Sequence, residues 1–143
     1  MRKTFQPKLV TFVLQTRAMI NRVLYVEDDP VSLFVGFTML RESNAFDEVL
    51  SAKNGKEALD MLKEESVDLM IMDFSLPLVD GEELIRTAAT YELSKNTPIA
   101  VITDMQFEEE DMAKLKSLPN VFFVDRKPIR KSQVPAMLEL LNK

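Results

Sequence analysis

The chain has no cysteine and no histidine among its 143 residues. Without cysteine it has no disulfide and no thiolate metal site, and nothing implies an oxidising compartment. Without histidine it has no histidine-based catalytic triad, no imidazole metal ligand and no phosphohistidine of its own to donate. An excess of positive charge is also missing. Lys and Arg total 18 against 23 Asp and Glu, and the formal net charge is −5. That balance argues against general binding to nucleic acid or to an anionic membrane, and makes a cation the more natural charged partner. No apolar run reaches the ~18 residues a membrane helix requires. The patch LVTFVL near the start is short, is followed by Arg17, and lacks a small-residue cleavage site. The expectation is a cytoplasmic protein without membrane insertion. With 46% hydrophobic and 29% charged residues, the chain has the composition of one globular domain that buries a core without crosslinks.

From Asn21 onward, short β-branched runs alternate with segments of helical period, the pattern of a parallel sheet covered on both faces. The strand candidates are RVLYV, EVLSA, VDLMIMD, PIAVIT and VFFVD. Helix candidates begin near Pro30, Gly55, Gly81, Phe107 and Arg130. In GKEALDMLKEE, Ala58, Leu59 and Leu62 share one face while Lys56, Lys63 and Glu64 stay wet. In EEEDMAKLKSL, Met112, Leu115 and Leu118 share a face, and the acids of the first turn suit the helix dipole. Residues 21–143 read as one domain with no linker, repeat or second domain. Residues 1–20 match no element of the pattern. Met19 could itself be a natural start, so a genuine extension and an upstream artefact both stay open.

Polar groups collect where the strand candidates end. The first ends in Glu27, Asp28 and Asp29, directly before Pro30. Asp caps helices and Pro suits the first helical position, but one cap accounts for one acid of three. Crowded like charges raise each other's pKa unless a cation joins them, so the cluster asks for a metal. The third strand ends at Asp73, which converges on the others if the first and third strands are neighbours. An all-oxygen set suits a hard ion such as Mg²⁺. The fourth strand ends at Thr103, and the fifth leads to Lys127 and Pro128. A Thr ending a strand or a Lys before Pro is ordinarily structural or solvated; the order of the four groups is the informative feature.

That order, carried by VLYVEDDP, DLMIMDFSLPLVDG, the lone Thr and KP, resembles the receiver domain of bacterial response regulators, the family of the chemotaxis regulator, from about Arg22 to Leu141. The spacings look right for the family, with the interval from Thr103 to Lys127 slightly long. The resemblance implies a doubly wound, flavodoxin-like α/β fold with a five-stranded parallel sheet in the order 2-1-3-4-5. It implies that Asp73 accepts a phosphoryl group, and that Glu27, Asp28, Asp73 and the backbone carbonyl of Ser75 hold Mg²⁺. Thr103 and Lys127 become the groups that sense the phosphoryl oxygens, Asp29 becomes the outer acid, and the Lys127-Pro128 bond is expected to be cis. The donor is expected to be a histidine kinase or a histidine phosphotransfer protein. The output is expected to pass through protein contacts of a stand-alone domain, as a monomer or weak dimer, rather than through an enzyme activity.

Two positions depart from the family pattern. Asp104 stands where a small residue usually follows the hydroxyl residue. The usual switch aromatic lies three residues before the lysine, but Val124 is there, with Phe122 and Phe123 earlier. Because side chains alternate along a strand, only a bulge or insertion near Asp125 and Arg126 would return Phe123 to the switch position. These departures keep a phosphorylation-independent, receiver-like interaction module as a rival. A phosphatase of the haloacid dehalogenase type also uses a strand-end Asp, but places a second Asp two residues on, where this chain has Ser75.

Overall fold

Runs that are apolar at consecutive positions have no wet face, and a parallel sheet with helices on both sides gives both faces cover. The computed structural model describes residues 21–104 and 108–142. Among these, five strands, β1 (Arg22–Val26), β2 (Glu48–Ala52), β3 (Leu69–Met72), β4 (Ile99–Thr103) and β5 (Val121–Arg126), alternate with five helices, α1 (Pro30–Glu42), α2 (Gly55–Glu64), α3 (Gly81–Ala88), α4 (Glu109–Lys116) and α5 (Gln133–Leu141). The strands are parallel, in the order β2-β1-β3-β4-β5, which is the expected topology. Residues 1–20 and the expected helix start at Phe107 lie outside the described residues.

Alternation divides the core in two. Leu24, Val26, Met70, Met72, Ile99 and Val101 face α2, α3 and α4 through Leu59, Leu62, Leu84, Ile85 and Leu115. Val23, Tyr25, Leu69, Ile71, Ala100 and Ile102 face α1 and α5 through Leu40, Val134 and Met137. The helix starts follow from their caps. Asp29, Asn54 and Asp80 each accept from a backbone N–H three residues on, at 2.8, 2.7 and 2.9 Å. Helix α4 begins at Glu109 among the described residues. Its N-cap is Glu108, and the Glu108 N–H donates to Asp111 at 3.0 Å. Helix α5 starts at Gln133 rather than Arg130, after a turn in which the Gln133 N–H donates to the Arg130 carbonyl at 3.0 Å.

Two glycines set the loop after β3. A Cβ on Gly55 would lie 2.3 Å from the Val79 carbonyl oxygen, and one on Gly81 would lie 2.4 Å from that of Phe74. Both distances are closer than a side chain tolerates, so the loop from Asp73 to Asp80 is clasped against two helix starts that only glycine permits.

Strand β5 carries the clearest departure from the expected pairing. Ile99 pairs with Val121 but Ala100 pairs with Phe123, so Phe122 is an extra residue in a bulge. Downstream, Val101 pairs with Val124 and Thr103 with Arg126. The irregularity therefore lies at Phe122 and not near Asp125 and Arg126. Phe123 stays on the α1 and α5 face, its ring centroid 6.3 Å from that of Phe122. Val124 packs on the opposite face, beside Val101 and in line with Thr103. No phenylalanine of β5 reaches the Thr103 face.

Candidate functional site

The carboxyl ends of β1, β3 and β4 and the segment after β5 open into one cleft of about 700 Å³, whose walls include Glu27, Asp28, Asp73, Ser75, Asp104 and Lys127. The order of strands does this. With β1 between β2 and β3, and β4 next to β3, the polar residue that ends each central strand falls at the same edge. Asp73 lies one residue beyond β3 and is only 4% exposed, and Glu27, one residue beyond β1, is 1% exposed. Asp28 is exposed. One carboxylate oxygen from each of Glu27, Asp28 and Asp73 lies within 4.8 Å of the others.

A single cation spans the two buried acids. The Lys127 ammonium is 2.6 Å from Glu27 Oε1 and 2.9 Å from Asp73 Oδ2. The backbone N–H of Lys127 donates to the Thr103 carbonyl at 3.0 Å, and the Lys127-Pro128 bond is cis. Burial pulls the lysine pKa down, but the two carboxylates outweigh it and hold the ammonium charged well above its ordinary range. Burial pushes the Glu27 carboxyl up, and Lys127 and the Asp29 N–H only partly offset it. The other Glu27 oxygen accepts from the Asp29 N–H at 3.1 Å, while the buried Oε1 faces the Lys127 ammonium. Asp73 Oδ1 accepts from the Ser75 N–H at 3.2 Å.

Three crowded carboxylates and one lysine leave an excess of negative charge that a hard divalent cation would neutralise. The donor set is all oxygen, which fits Mg²⁺. Asp29 is not part of the cluster. Its side chain accepts from the Ser32 N–H, which lowers its pKa.

The remaining expected residues divide. Thr103 ends β4 and is fully buried, off the cleft wall. Asp104, next to it, is exposed and on the wall. It is not the cap of α4, which is Glu108. Ser75 stands two residues beyond Asp73, so no acid occupies that position. The sequence reading missed Tyr25, buried on the cleft floor, although its two-residue separation from Glu27 puts both on one side of β1. It also missed Asp125, Arg130 and Gln133, which meet behind Lys127. A second cleft, about 440 Å³, lies at the opposite edge of the sheet. Of its two acids, Asp68 already accepts from the backbone N–H groups of Asn21 and Arg22 at 3.0 and 2.9 Å, and Glu92 pairs with Lys95 at 3.2 Å. Among the described residues, no helix is long and apolar enough to cross a membrane.

Comparison with known proteins agrees with the geometry. The response regulator receiver domain model matches residues 23–139. The sensor protein GacS of Pseudomonas syringae pv. syringae is 29% identical over 116 residues, covering 79% of this chain, and the chain spans only 12% of the length of that relative. The polar-differentiation response regulator DivK of Brucella ovis is 32% identical over 85 residues, covering 59% of this chain and 68% of its own. Among solved structures, the receiver domain of a sensor histidine kinase from Pseudomonas aeruginosa PAO1, with a magnesium ion coordinated in its active site cleft, superposes with a TM-score of 0.73 at 24% identity, over 86% of this chain and 98% of that one.

Proposed function

Because the chain belongs to the response regulator receiver domain family, we propose that it accepts a phosphoryl group on Asp73, with Mg²⁺, from a histidine kinase or histidine phosphotransfer protein, and signals through protein contacts. The observation that carries this reading is the pair of contacts from Lys127 to Glu27 and Asp73 beside a third carboxylate, Asp28.

In the proposed step an Asp73 oxygen attacks phosphorus. A new O–P bond forms as the N–P bond of the donor's phosphohistidine breaks, and the electron pair of that bond leaves with the imidazole. Lys127 carries positive charge beside the attacking carboxylate, where it offsets repulsion between two anions. The Ser75 N–H fixes the orientation of the carboxylate. Glu27, Asp28, Asp73 and the Ser75 carbonyl are the groups that would hold the ion. Bound Mg²⁺ supplies charge neutralisation for the transferring phosphoryl oxygens. Thr103 is assigned to the phosphoryl group once it is formed. Incubation with acetyl phosphate and Mg²⁺ tests the reading: intact mass shows one added phosphoryl group, and its absence refutes the assignment.

Asp28 and Asp29 separate under metal titration. Asp28→Ala weakens Mg²⁺ binding at least about tenfold, because one of three converging carboxylates is lost. Asp29→Ala leaves the affinity near that of the wild type and lowers Tm, because it removes the cap of α1. Equal losses of affinity would contradict the assignment.

Asp104 acts on the donor. A carboxylate on the cleft wall repels an incoming dianion, so Asp104→Ala accelerates phosphorylation by acetyl phosphate about fivefold at low ionic strength. The gain shrinks as salt shortens the Debye length below about 10 Å. An unchanged or slower rate at low salt excludes repulsion.

One observation favours a second reading, an interaction module that does not depend on phosphorylation: Val124, and no aromatic ring of β5, is in line with Thr103. A Mg²⁺-dependent response to beryllofluoride supports phosphoryl signalling, and silence supports the module.

A further inference from the structure

Lys127 is set in a segment tied down on both sides by one polar cluster. Asp125 Oδ2 accepts from Arg130 Nη2 at 3.0 Å and from Gln133 Nε2 at 2.9 Å. Its other oxygen accepts from the Arg126 N–H at 2.8 Å. Arg130 Nη1 donates to the carbonyls of Arg126 and Pro128, at 3.3 and 3.0 Å, which flank Lys127 in the chain. The Arg130 N–H donates to Gln133 Oε1 at 2.7 Å. Gln133 is 3% exposed and is the first residue of α5. Burial would push the Asp125 carboxyl up, but the donors from Gln133 and Arg126 and the charge of Arg130 outweigh it and hold the group below its ordinary value.

These bonds form a closed circuit, from Asp125 at the end of β5, around the Lys127 segment, to the first turn of α5 and back. A shift of Lys127 away from Glu27 and Asp73, toward oxygens newly placed on Asp73, moves the two carbonyls that Arg130 grips. The displacement therefore reaches Gln133 through directed bonds, and no ring on β5 is needed to carry it.

We propose that Asp125 is a positioning residue for the phosphoryl site: through Arg130 and Gln133 it fixes the segment that carries Lys127 and links the state of the site to the start of α5. The inference rests on the phosphoacceptor reading given above and adds its route of output.

The experiment combines two measurements on the whole chain: the rate of phosphorylation by acetyl phosphate, and backbone amide shifts on adding beryllofluoride with Mg²⁺. In the wild type, beryllofluoride shifts the amides of Ser75 and Lys127 and also those of Gln133, Val134 and Met137. Asp125→Ala keeps the response at Ser75, reduces the α5 shifts to less than about a third, and slows phosphorylation about tenfold, the change that ~1.4 kcal/mol of lost positioning produces. In a Lys127→Ala background the same substitution has no further effect on the rate, because its action runs through the lysine. A merely structural role would lower Tm in both backgrounds and leave the α5 response coupled to the site. Arg130→Met removes the more exposed half of the circuit, spares the fold and gives the same pattern, so a failure of Asp125→Ala to fold does not protect the inference. Wild-type α5 shifts and rates in both variants overturn it while leaving the phosphoacceptor reading intact. A wild type that ignores beryllofluoride overturns both.

Discussion

Asp73→Asn is expected to leave the fold standing and to abolish phosphorylation. The amide has nearly the shape of the carboxylate and fits a position only 4% exposed. It has no anionic oxygen with which to attack phosphorus. The substitution also exchanges one acceptor for a donor. Asp73 receives the Lys127 ammonium on one oxygen and the Ser75 N–H on the other. Asn has one oxygen, so one of these donors must face an NH₂ group. A lost partner of this kind costs about 1–3 kcal/mol. Against the roughly 5–15 kcal/mol that stabilises a domain, the variant remains folded with a lowered Tm. Intact mass after incubation with acetyl phosphate and Mg²⁺ then reads the chemistry separately from the stability. An added phosphoryl group at the wild-type level in the variant would place the nucleophile elsewhere.

The second large effect is expected from Lys127→Ala. Glu27 and Asp73 are buried, and Lys127 is the cation that contacts both. Removing one member of a buried charge set leaves the others uncompensated, at a cost of about 3–5 kcal/mol. Urea unfolding without metal should show that loss. Mg²⁺ replaces part of the missing positive charge, so it raises Tm more in the variant than in the wild type. The pH dependence has a definite sign. A lysine whose folded pKa is raised contributes stability in full below its ordinary value of 10.5, and loses it only as pH climbs through the folded value. The gap between wild type and variant from this source is therefore flat between pH 7 and about 9, and closes only at strongly alkaline pH. Some phosphorylation of the variant is expected to survive, without the change at α5. Equal stability of the two proteins without metal would show that the buried acids are neutralised in another way.

Much of this architecture was legible because parallel strands covered on both faces have a strong signature. LMIM in β3 and IAVIT in β4 are apolar at nearly every position, and their ends fall where the polar residues begin. The acids of the site were legible for the same reason, since a carboxylate at the end of such a run has no place in the core. Boundaries were harder where tertiary contacts decide them. Asp68 looks like part of β3, but its side chain binds the amides that start β1. Helix α5 starts at Gln133, three residues beyond the expected Arg130, where Gln133 folds back onto Asp125. The cluster of Asp125, Arg130 and Gln133 leaves no periodic trace at all. Its members share neither a strand phase nor a helix face, and only the path of the chain around Lys127 brings them together.

The bulge at Phe122 has an implication for how this chain can change length. Among the described residues, strand β5 is at the margin of the sheet and pairs only with β4, so an added residue there strains one ladder instead of two. The irregularity precedes Ala100 and Phe123, and from that pair onward the two strands march in step to Thr103 and Arg126. An insertion at Phe122 is thus absorbed before it can put Lys127 out of phase with the acids it must reach. The same addition two or three residues later would have no room to be absorbed, and would turn the lysine away from the cleft. The start of β5 is in this sense a shock absorber for indels.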